Sequence, residues 1–598
     1  MFYWDIGDLS DEQEQAILYP DSVLLIACPG SGKTRALTYK IALELSKLVS
    51  EKQYILAITY TNAAADEIKE RIEILGISTT QLWIGTIHSF CLEWILKPYY
   101  LYLDNLKHGF KVINSHDSEI IISELCKKYK YPTINYYDCQ FFATIKNYRI
   151  TSLETEKHPS IKKVIIEYFE ILSANEQVDF EQILFFSYKL LKGNPIIGEI
   201  LSKIFPFILI DEFQDTKQIQ YYIVSAIINN GSNKINAFIV GDPNQSIYDT
   251  LGGYPMKKIE MEELFGMTIK ELQLSGNYRS STKIIQYFEN FKVFPNNIKA
   301  IGEYKDYPSV ITYNSLVDNS LLEDEIVELI LFNIEKERIS PNEICIAAPQ
   351  WIHLAGLTRN LMIKLPDFNF DGPGMAPFSR DIDNFWYKLS RIILTEPSPD
   401  MYLKRLRWAK EILNELNFVE ADISEITPKY LLKICNSLSI DESDGLEYLR
   451  ISFDHLFSIL SLKIDTFSSL KEHYDSFFDS SQARIKRLSE QGFGFIGTIE
   501  NFKKIFKQRK GIKISTIHGL KGTEYDTVIG FGLLDGWVPH FKDNNGDSNS
   551  KKMLYVLCSR ARKNLHLISE TGRNINWHNP HGRPPTPHLT RLNYTYDE

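Results

Sequence analysis

At 598 residues the chain is too long for one hydrophobic core, and its length predicts about four domains. With 44% hydrophobic and 24% charged residues it has the composition of an ordinary soluble globular protein, which excludes a disordered or fibrous chain. The formal net charge of −10 does not exclude a nucleic-acid partner, because binding follows where basic residues cluster rather than their sum.

In chain order, Ser10 to Leu18 reads as an N-capped helix, with Ser10 facing the first-turn amides and acidic residues following it. Gln13 in it is either an amide able to donate to and accept from an adenine edge or an exposed helical glutamine. The apolar run Val23-Leu24-Leu25-Ile26 then leads into Ala27-Cys28-Pro29-Gly30-Ser31-Gly32-Lys33-Thr34 and a helix from Arg35. Strand, glycine-rich turn and helix form the context of a phosphate-binding loop. Glycines let the backbone amides converge on one point, Lys33 reaches the β- and γ-phosphates, and Thr34 offers a hydroxyl to Mg²⁺. Ala27 stands where the pattern has its first glycine.

Two further strand-to-helix units follow, at Tyr54–Tyr60 and Leu82–Phe90. Their alternation predicts an α/β fold with a parallel sheet, whose ligand sites lie at the strands' carboxyl ends. Tyr60, Thr61, Asn62, Thr86 and His88 fall there, where each is a ligand contact or an ordinary capping residue. Residues 92–200 read as a helical insertion without an assignable motif. The apolar strand Phe205–Ile210 then ends in Asp211-Glu212, the pair an NTPase needs opposite its loop: Asp211 for Mg²⁺ and Glu212 to polarise the attacking water. After Ala237–Val240, Gln245 places an amide where a γ-phosphate can be sensed, and Arg279 is a candidate arginine finger or a surface arginine.

From here the residues resemble the UvrD/Rep/PcrA-type superfamily 1 DNA helicases. Gln13, Ala27–Thr34, Thr59–Glu67, Gly85–Phe90, Asp211–Thr216, Val240–Tyr248 and Asn277–Ser280 match the family's motifs in order. Ile514–Ile529 and Leu554–Arg562 extend the match to the late motifs. The resemblance implies two RecA-like P-loop NTPase domains with mainly helical insertions. The expected boundaries are 1–91 with 201–290 for the first domain (1A) and 291–380 with 511–575 for the second (2A). Helical insertions are expected at 92–200 (1B) and 381–510 (2B-like), and an irregular tail at 576–598.

The resemblance also implies site roles. Arg35 and Tyr278 pack on adenine, Glu524 holds the ribose, and Arg560 acts as a second finger beside Arg279. Tyr60, Thr61, Asn62, Thr86, His88, Tyr248, Thr516 and His518 grip a single strand. Stacked bases contribute roughly 1–3 kcal/mol each with little sequence preference, as a translocating enzyme needs. The expected activity is ATP- and Mg²⁺-dependent movement, 3′ to 5′, on single-stranded and tailed duplex DNA, in repair, recombination or anti-phage defence.

The sequence departs from the family after Tyr248, where Asp249-Thr250-Leu251-Gly252-Gly253 replaces a stacking aromatic and an arginine; Tyr254 is the nearest substitute. The 381–510 insertion is short and lacks a duplex-gripping Arg-Gly-Ile-Gly-like hairpin. Short chains of this sort resemble the GajB subunit of Gabija anti-phage systems, which leaves a second reading open: a DNA- and nucleotide-sensing ATPase that regulates a partner nuclease. The basic run 503–513 is a phosphate contact or a solvated helix end, and the tail histidines at 578, 581 and 588 read as tail residues rather than metal ligands. Seven cysteines without C-x-x-C spacing read as reduced thiols, no apolar stretch is long enough to span a bilayer, and the N-terminus lacks a basic leader. A cytoplasmic chain with no membrane partner is expected.

Overall fold

The computed structural model describes residues 2–231, 235–351, 354–372, 377–378, 381, 384–399, 401–423, 425–490, 494–506, 511–538, 540, 543, 545–573 and 582–597. The chain forms two compact units. One comprises Met1–Leu329, Ala347–Pro349 and Thr516–Glu598, the other Ile330–Ile346 and Gln350–Ser515.

The first unit is built on six parallel strands: β1 (Val23–Ala27), β2 (Ile55–Thr59), β3 (Leu82–Thr86), β4 (Phe207–Ile210), β5 (Asn236–Gly241) and β6 (Lys270–Leu274), in the order β6-β1-β5-β4-β2-β3. The central strands read as unbroken apolar runs because both faces of the sheet are covered. Side chains alternate between the two resulting cores: Leu24, Leu56, Ile208 and Ile239 enter one, and Val23, Leu25, Ala57, Leu209 and Val240 the other. Helices α1 (Asp11–Leu18), α2 (Lys33–Leu45) and α3 (Asn62–Ile74) flank this sheet. Each starts at a backbone amide cluster that the sequence answers in a different way, with the Ser10 capping box, with Gly32, and with the Thr61 hydroxyl.

Residues 92–200 carry the helices His158–Ala174 and Phe180–Gly193, the start of the helix Pro195–Ile204, and a small hairpin pairing Phe141–Ala143 with Tyr148–Ile150. The same unit holds three more parallel strands, β7 (Ile311–Asn314), β8 (Tyr525–Gly530) and β9 (Ala561–Ile568), in the order β7-β9-β8. Near the C-terminus Asp597 pairs with Lys283 at 2.6 Å and accepts the Ile311 N–H, while Tyr594 and Tyr596 close around Tyr287.

The second unit is mainly helical. Its core gathers around Trp386, which is fully buried, donates from Nε1 to the Leu470 carbonyl at 2.7 Å, and meets the rings of Phe453, Phe457 and Tyr474 within about 5 Å. The α/β class with parallel sheets flanked by helices is the one the strand-helix alternation predicts. No described helix is long and apolar enough to cross a membrane.

Candidate active site and nucleic-acid interface

The turn after β1 curls because Gly30 (φ +69°) and Gly32 (φ +74°) adopt the left-handed conformation. A Cβ at Gly30 would come within 2.6 Å of the Arg279 Cβ, and one at Gly32 within 2.5 Å of the Gln13 Nε2. Helix α2 begins at Lys33, so its free amide end faces the turn. Gln13 is buried at the back of the loop, donating from Nε2 to the Ser31 carbonyl at 3.0 Å and accepting the Ser10 N–H at 3.0 Å. Both ends of its amide are thus engaged by protein. From the other side Asn277 donates to the Pro29 carbonyl at 2.7 Å and accepts the N–H groups of Arg279 and Ser280, each at 2.8 Å.

The Lys33 ammonium pairs with the Glu212 carboxylate and lies 3.8 Å from Asp211 Oδ1. Burial opposes the charge on Lys33, but the two carboxylates outweigh it and hold its pKa above the ordinary value. Burial would likewise raise Glu212, yet Lys33 and Lys521 draw it below the usual carboxylate range, so it is ionised. Asp211 is raised by burial, with Lys33 only partly offsetting that. Glu212 is a non-glycine residue at φ +53°, a conformation that costs about 1–3 kcal/mol and persists where the surroundings enforce it. Gln214 is part of that enforcement: its Nε2 donates to Glu212 and, at 3.3 Å, to Asp215, and its Oε1 accepts the Asp242 N–H at 3.0 Å.

Gln245 donates from Nε2 to Asp242 at 2.8 Å and accepts at Oε1 from Arg560. Arg560 is buried, and burial together with the nearby Arg279 brings its pKa down to about 9. Arg279 in turn pairs with Glu524 at 2.5 Å and donates to the Ser559 carbonyl at 3.1 Å. Lys33, Asp211, Glu212, Arg279, Arg560 and Glu524 therefore form one charged cluster around the loop, with the neutral amide of Gln245 bonded to Arg560. Arg35 stands half exposed with its guanidinium 5.9 Å over the Tyr39 ring and 3.6 Å from Asp8; Tyr278 is exposed and donates its N–H to the Gly30 carbonyl at 2.8 Å.

The residues present fit a nucleotide phosphate chain and a divalent cation. Ser31 Oγ is buried at the loop tip and makes no hydrogen bond among the described residues. Cys28 and Pro29 bring the chain to that tip, and Thr34 starts α2 beside Lys33. A hydroxyl and a carboxylate, Thr34 and Asp211, are the hard oxygen donors Mg²⁺ takes alongside phosphate and water.

A second arrangement lies in the same unit. Tyr60 and Tyr248 stack with ring centroids 5.2 Å apart and an interplanar angle of 24°, and Tyr248 meets His518 at 5.7 Å while donating from its hydroxyl to the His518 carbonyl at 3.2 Å. Tyr60 is 43% exposed at the end of this aromatic column. His88 is kept uncharged, its pKa brought to about 4 by burial and by Lys217; its Nε2 makes no hydrogen bond among the described residues, and its ring meets Phe180 edge-on at 6.0 Å. Thr61 and Thr86 use their hydroxyls as N-caps, accepting from the N–H groups of Ala64 and Ser89, and Asn62 is the first residue of α3. Thr516 accepts the Gly519 N–H at 3.1 Å. Tyr254 is tied to Glu260 through its hydroxyl, and Asp249 accepts from Ser246 and pairs with Lys552, so neither joins the column.

Sequence reasoning missed the residue that links the two arrangements. Lys521 pairs with Asp215, donates to the Gln245 carbonyl at 2.7 Å, and lies 5.3 Å over the Tyr248 ring. Burial, only partly offset by Lys521, sets the Asp215 pKa at about 7. The one available signal was that Lys521 falls within the late stretch 514–529 that carried the resemblance. Of the basic run 503–513, residues 507–510 lie outside the described residues, as do the tail histidines at 578 and 581; His588 is described and bonds to Ser550.

Two family models match the chain: the UvrD/REP helicase N-terminal domain over residues 9–265 and the UvrD-like helicase C-terminal domain over residues 459–572. Similar curated proteins include the ATP-dependent DNA helicase PcrA of Bacillus subtilis, 29% identical, with 95% of this chain and 84% of the relative covered. The proteins of the same name from Staphylococcus aureus (strain Mu50) and Staphylococcus epidermidis (strain RP62A) are 29% and 23% identical, with the same coverage.

Proposed function

The chain belongs to the UvrD/REP family of helicases, and from that premise we propose that it is an ATP- and Mg²⁺-dependent motor moving 3′ to 5′ along single-stranded DNA and separating tailed duplexes. The observation that carries this reading is the bridge made by Lys521, which joins Asp215 and the Gln245 backbone to the face of Tyr248. A change of charge beside Glu212 is thereby transmitted to the aromatic column.

Lys33 and the loop amides take the phosphates, and Thr34 with Asp211 holds Mg²⁺, which neutralises phosphate charge when bound. To reach phosphate, Lys33 leaves Glu212, and that exchange frees Glu212 to orient and polarise the attacking water. Gln245 and the guanidiniums of Arg279 and Arg560 answer the charge that spreads over the γ-phosphate oxygens; one well-placed finger contributes about 10³–10⁵ in rate. Arg35 and Tyr278 take the adenine, with Gln13 supporting the loop behind it, and Glu524 takes the ribose. Tyr60, Tyr248 and His518 stack bases, while Asn62, Thr61, Thr86, His88 and Thr516 supply polar contacts to the strand. We read 1–91 with 201–290 and 291–380 with 511–575 as the RecA-like domains, and 92–200 and 381–510 as insertions. The seven unbridged, buried cysteines support a reducing, cytoplasmic setting.

One observation favours a second reading: the segment after Tyr248 adds no ring to the column, and Tyr254 is tied to Glu260. On that reading the same engine senses nucleotide and DNA and regulates a partner nuclease without processive unwinding. Strand separation on 3′- and 5′-tailed duplexes decides. Unwinding from the 3′ tail alone supports the motor; DNA-stimulated hydrolysis without unwinding from either tail supports the regulator.

A further inference from the structure

The second unit holds a cavity of about 410 Å³ beside the helices Tyr402–Phe418 and Pro428–Ser437. Tyr402 and Arg405 line it from the first helix, and Lys429, Lys433 and Asn436 from the second, at the three- and four-residue spacing that puts side chains on one helix face. Three cations line this space, and no described carboxylate does.

Arg405 is the unusual member. It is only 3% exposed, its Nη2 donates to the Ile392 carbonyl at 3.1 Å and to Asn436 Oδ1 at 2.7 Å, and its Nε makes no hydrogen bond among the described residues. No ion pair joins it to a carboxylate among the described residues, and burial lowers its pKa. A buried guanidinium without a counter-charge is costly unless an anion comes to it. Its planar fork matches phosphate oxygens, and the two lysines add mobile donors at the rim. The volume falls within the roughly 300–1,000 Å³ of small-ligand pockets, and the exposed Tyr402 ring supplies a flat apolar wall.

We propose that this cavity binds a phosphate-bearing anion, with Arg405 as its buried anchor and Lys429 and Lys433 as its rim. The phosphate belongs either to a free phosphorylated small molecule or to a DNA strand. All the residues involved lie in the second unit, so the site is distinct in sequence and chemistry from the loop at Lys33.

The test uses the full chain carrying Lys33→Ala, so that the first-unit loop does not compete. Calorimetric titrations with sodium pyrophosphate and with a single-stranded oligonucleotide are compared with the same titrations in a chain that also carries Lys429→Gln and Lys433→Gln. Both lysines are exposed, so the fold is retained; Arg405→Gln, checked by its melting curve, is the second variant. At least a tenfold loss of pyrophosphate affinity supports the proposal with a free ligand, and a tenfold loss confined to the oligonucleotide supports it with DNA. Absence of saturable binding, or affinities unchanged in both arms, overturns it.

Discussion

The amide oxygen of Gln245 accepts a hydrogen bond from Nη2 of Arg560, a buried residue 315 positions later in the chain. Gln245 is simultaneously held by Asp242 and, through its carbonyl, by Lys521, so the guanidinium meets a fixed partner. Arg560→Ala is expected to lower ATP turnover by at least about 10³ while changing ATP affinity less than tenfold, because a finger acts on charge present only in the transition state. Steady-state kinetics with a separate nucleotide-binding assay checks this; equal losses in both would assign Arg560 to ground-state binding.

The Lys33–Glu212 pair makes a different prediction. Glu212→Gln removes the charge that competes with phosphate for the lysine, so ATP is expected to bind several-fold more tightly even as turnover falls by roughly 10² or more, the scale of a lost general base. Fluorescent-nucleotide binding beside the ATPase rate reads both effects. Weaker ATP binding in this variant would show that Glu212 does not restrain Lys33.

Tyr248→Ala breaks the column in its middle, between Tyr60 and His518. Single-stranded DNA affinity is expected to fall by about 1–3 kcal/mol, the contribution of one stacking platform, with hydrolysis in the absence of DNA within a few-fold of the parent. Fluorescence anisotropy at fixed salt measures it, and unchanged affinity would remove Tyr248 from the DNA path.

His566 is fully buried in β9 beside Thr312, and burial holds its pKa at about 4. The folded state refuses a proton that the unfolded chain accepts near pH 6.5, so this stability is complete above pH 6.5 and is lost as the pH falls toward 4, at about 1.4 kcal/mol per pH unit. His88 adds to this slope and the raised carboxyl of Asp215 opposes it, so the reading is the difference between chains: in denaturant titrations from pH 7 to 4, His566→Gln is expected to lose less stability than the parent, by up to about 1.4 kcal/mol per pH unit. A slope identical in the variant would assign the acid sensitivity elsewhere.

The strand-loop-helix at β1 and α2 was legible because its parts are consecutive: an apolar run, two glycines that tolerate positive φ, and a lysine at the helix start. The Asp211-Glu212 pair was legible for the same reason. The supporting contacts were not, because they join distant positions; Asn277 reaches Pro29 across 248 residues and Lys521 reaches Asp215 across 306. Thr61 and Thr86 show a second limit. A hydroxyl at a strand end serves a cap and a ligand equally well by sequence; here both hydroxyl oxygens accept cap N–H groups, and the contact to a strand proposed for them is an additional role that sequence does not separate from the cap. The burial of Arg405 with no carboxylate paired to it among the described residues has no sequence signature, since helix periodicity alone places an arginine at a surface.

The most direct test of the account is steady-state ATP hydrolysis by the full chain with Mg²⁺, measured without nucleic acid and then with single-stranded DNA. Coupling through Lys521 predicts strong stimulation by single-stranded DNA, lost in Lys521→Met together with the response of hydrolysis to Tyr248→Ala. Hydrolysis indifferent to DNA, or stimulation fully retained in Lys521→Met, would contradict it.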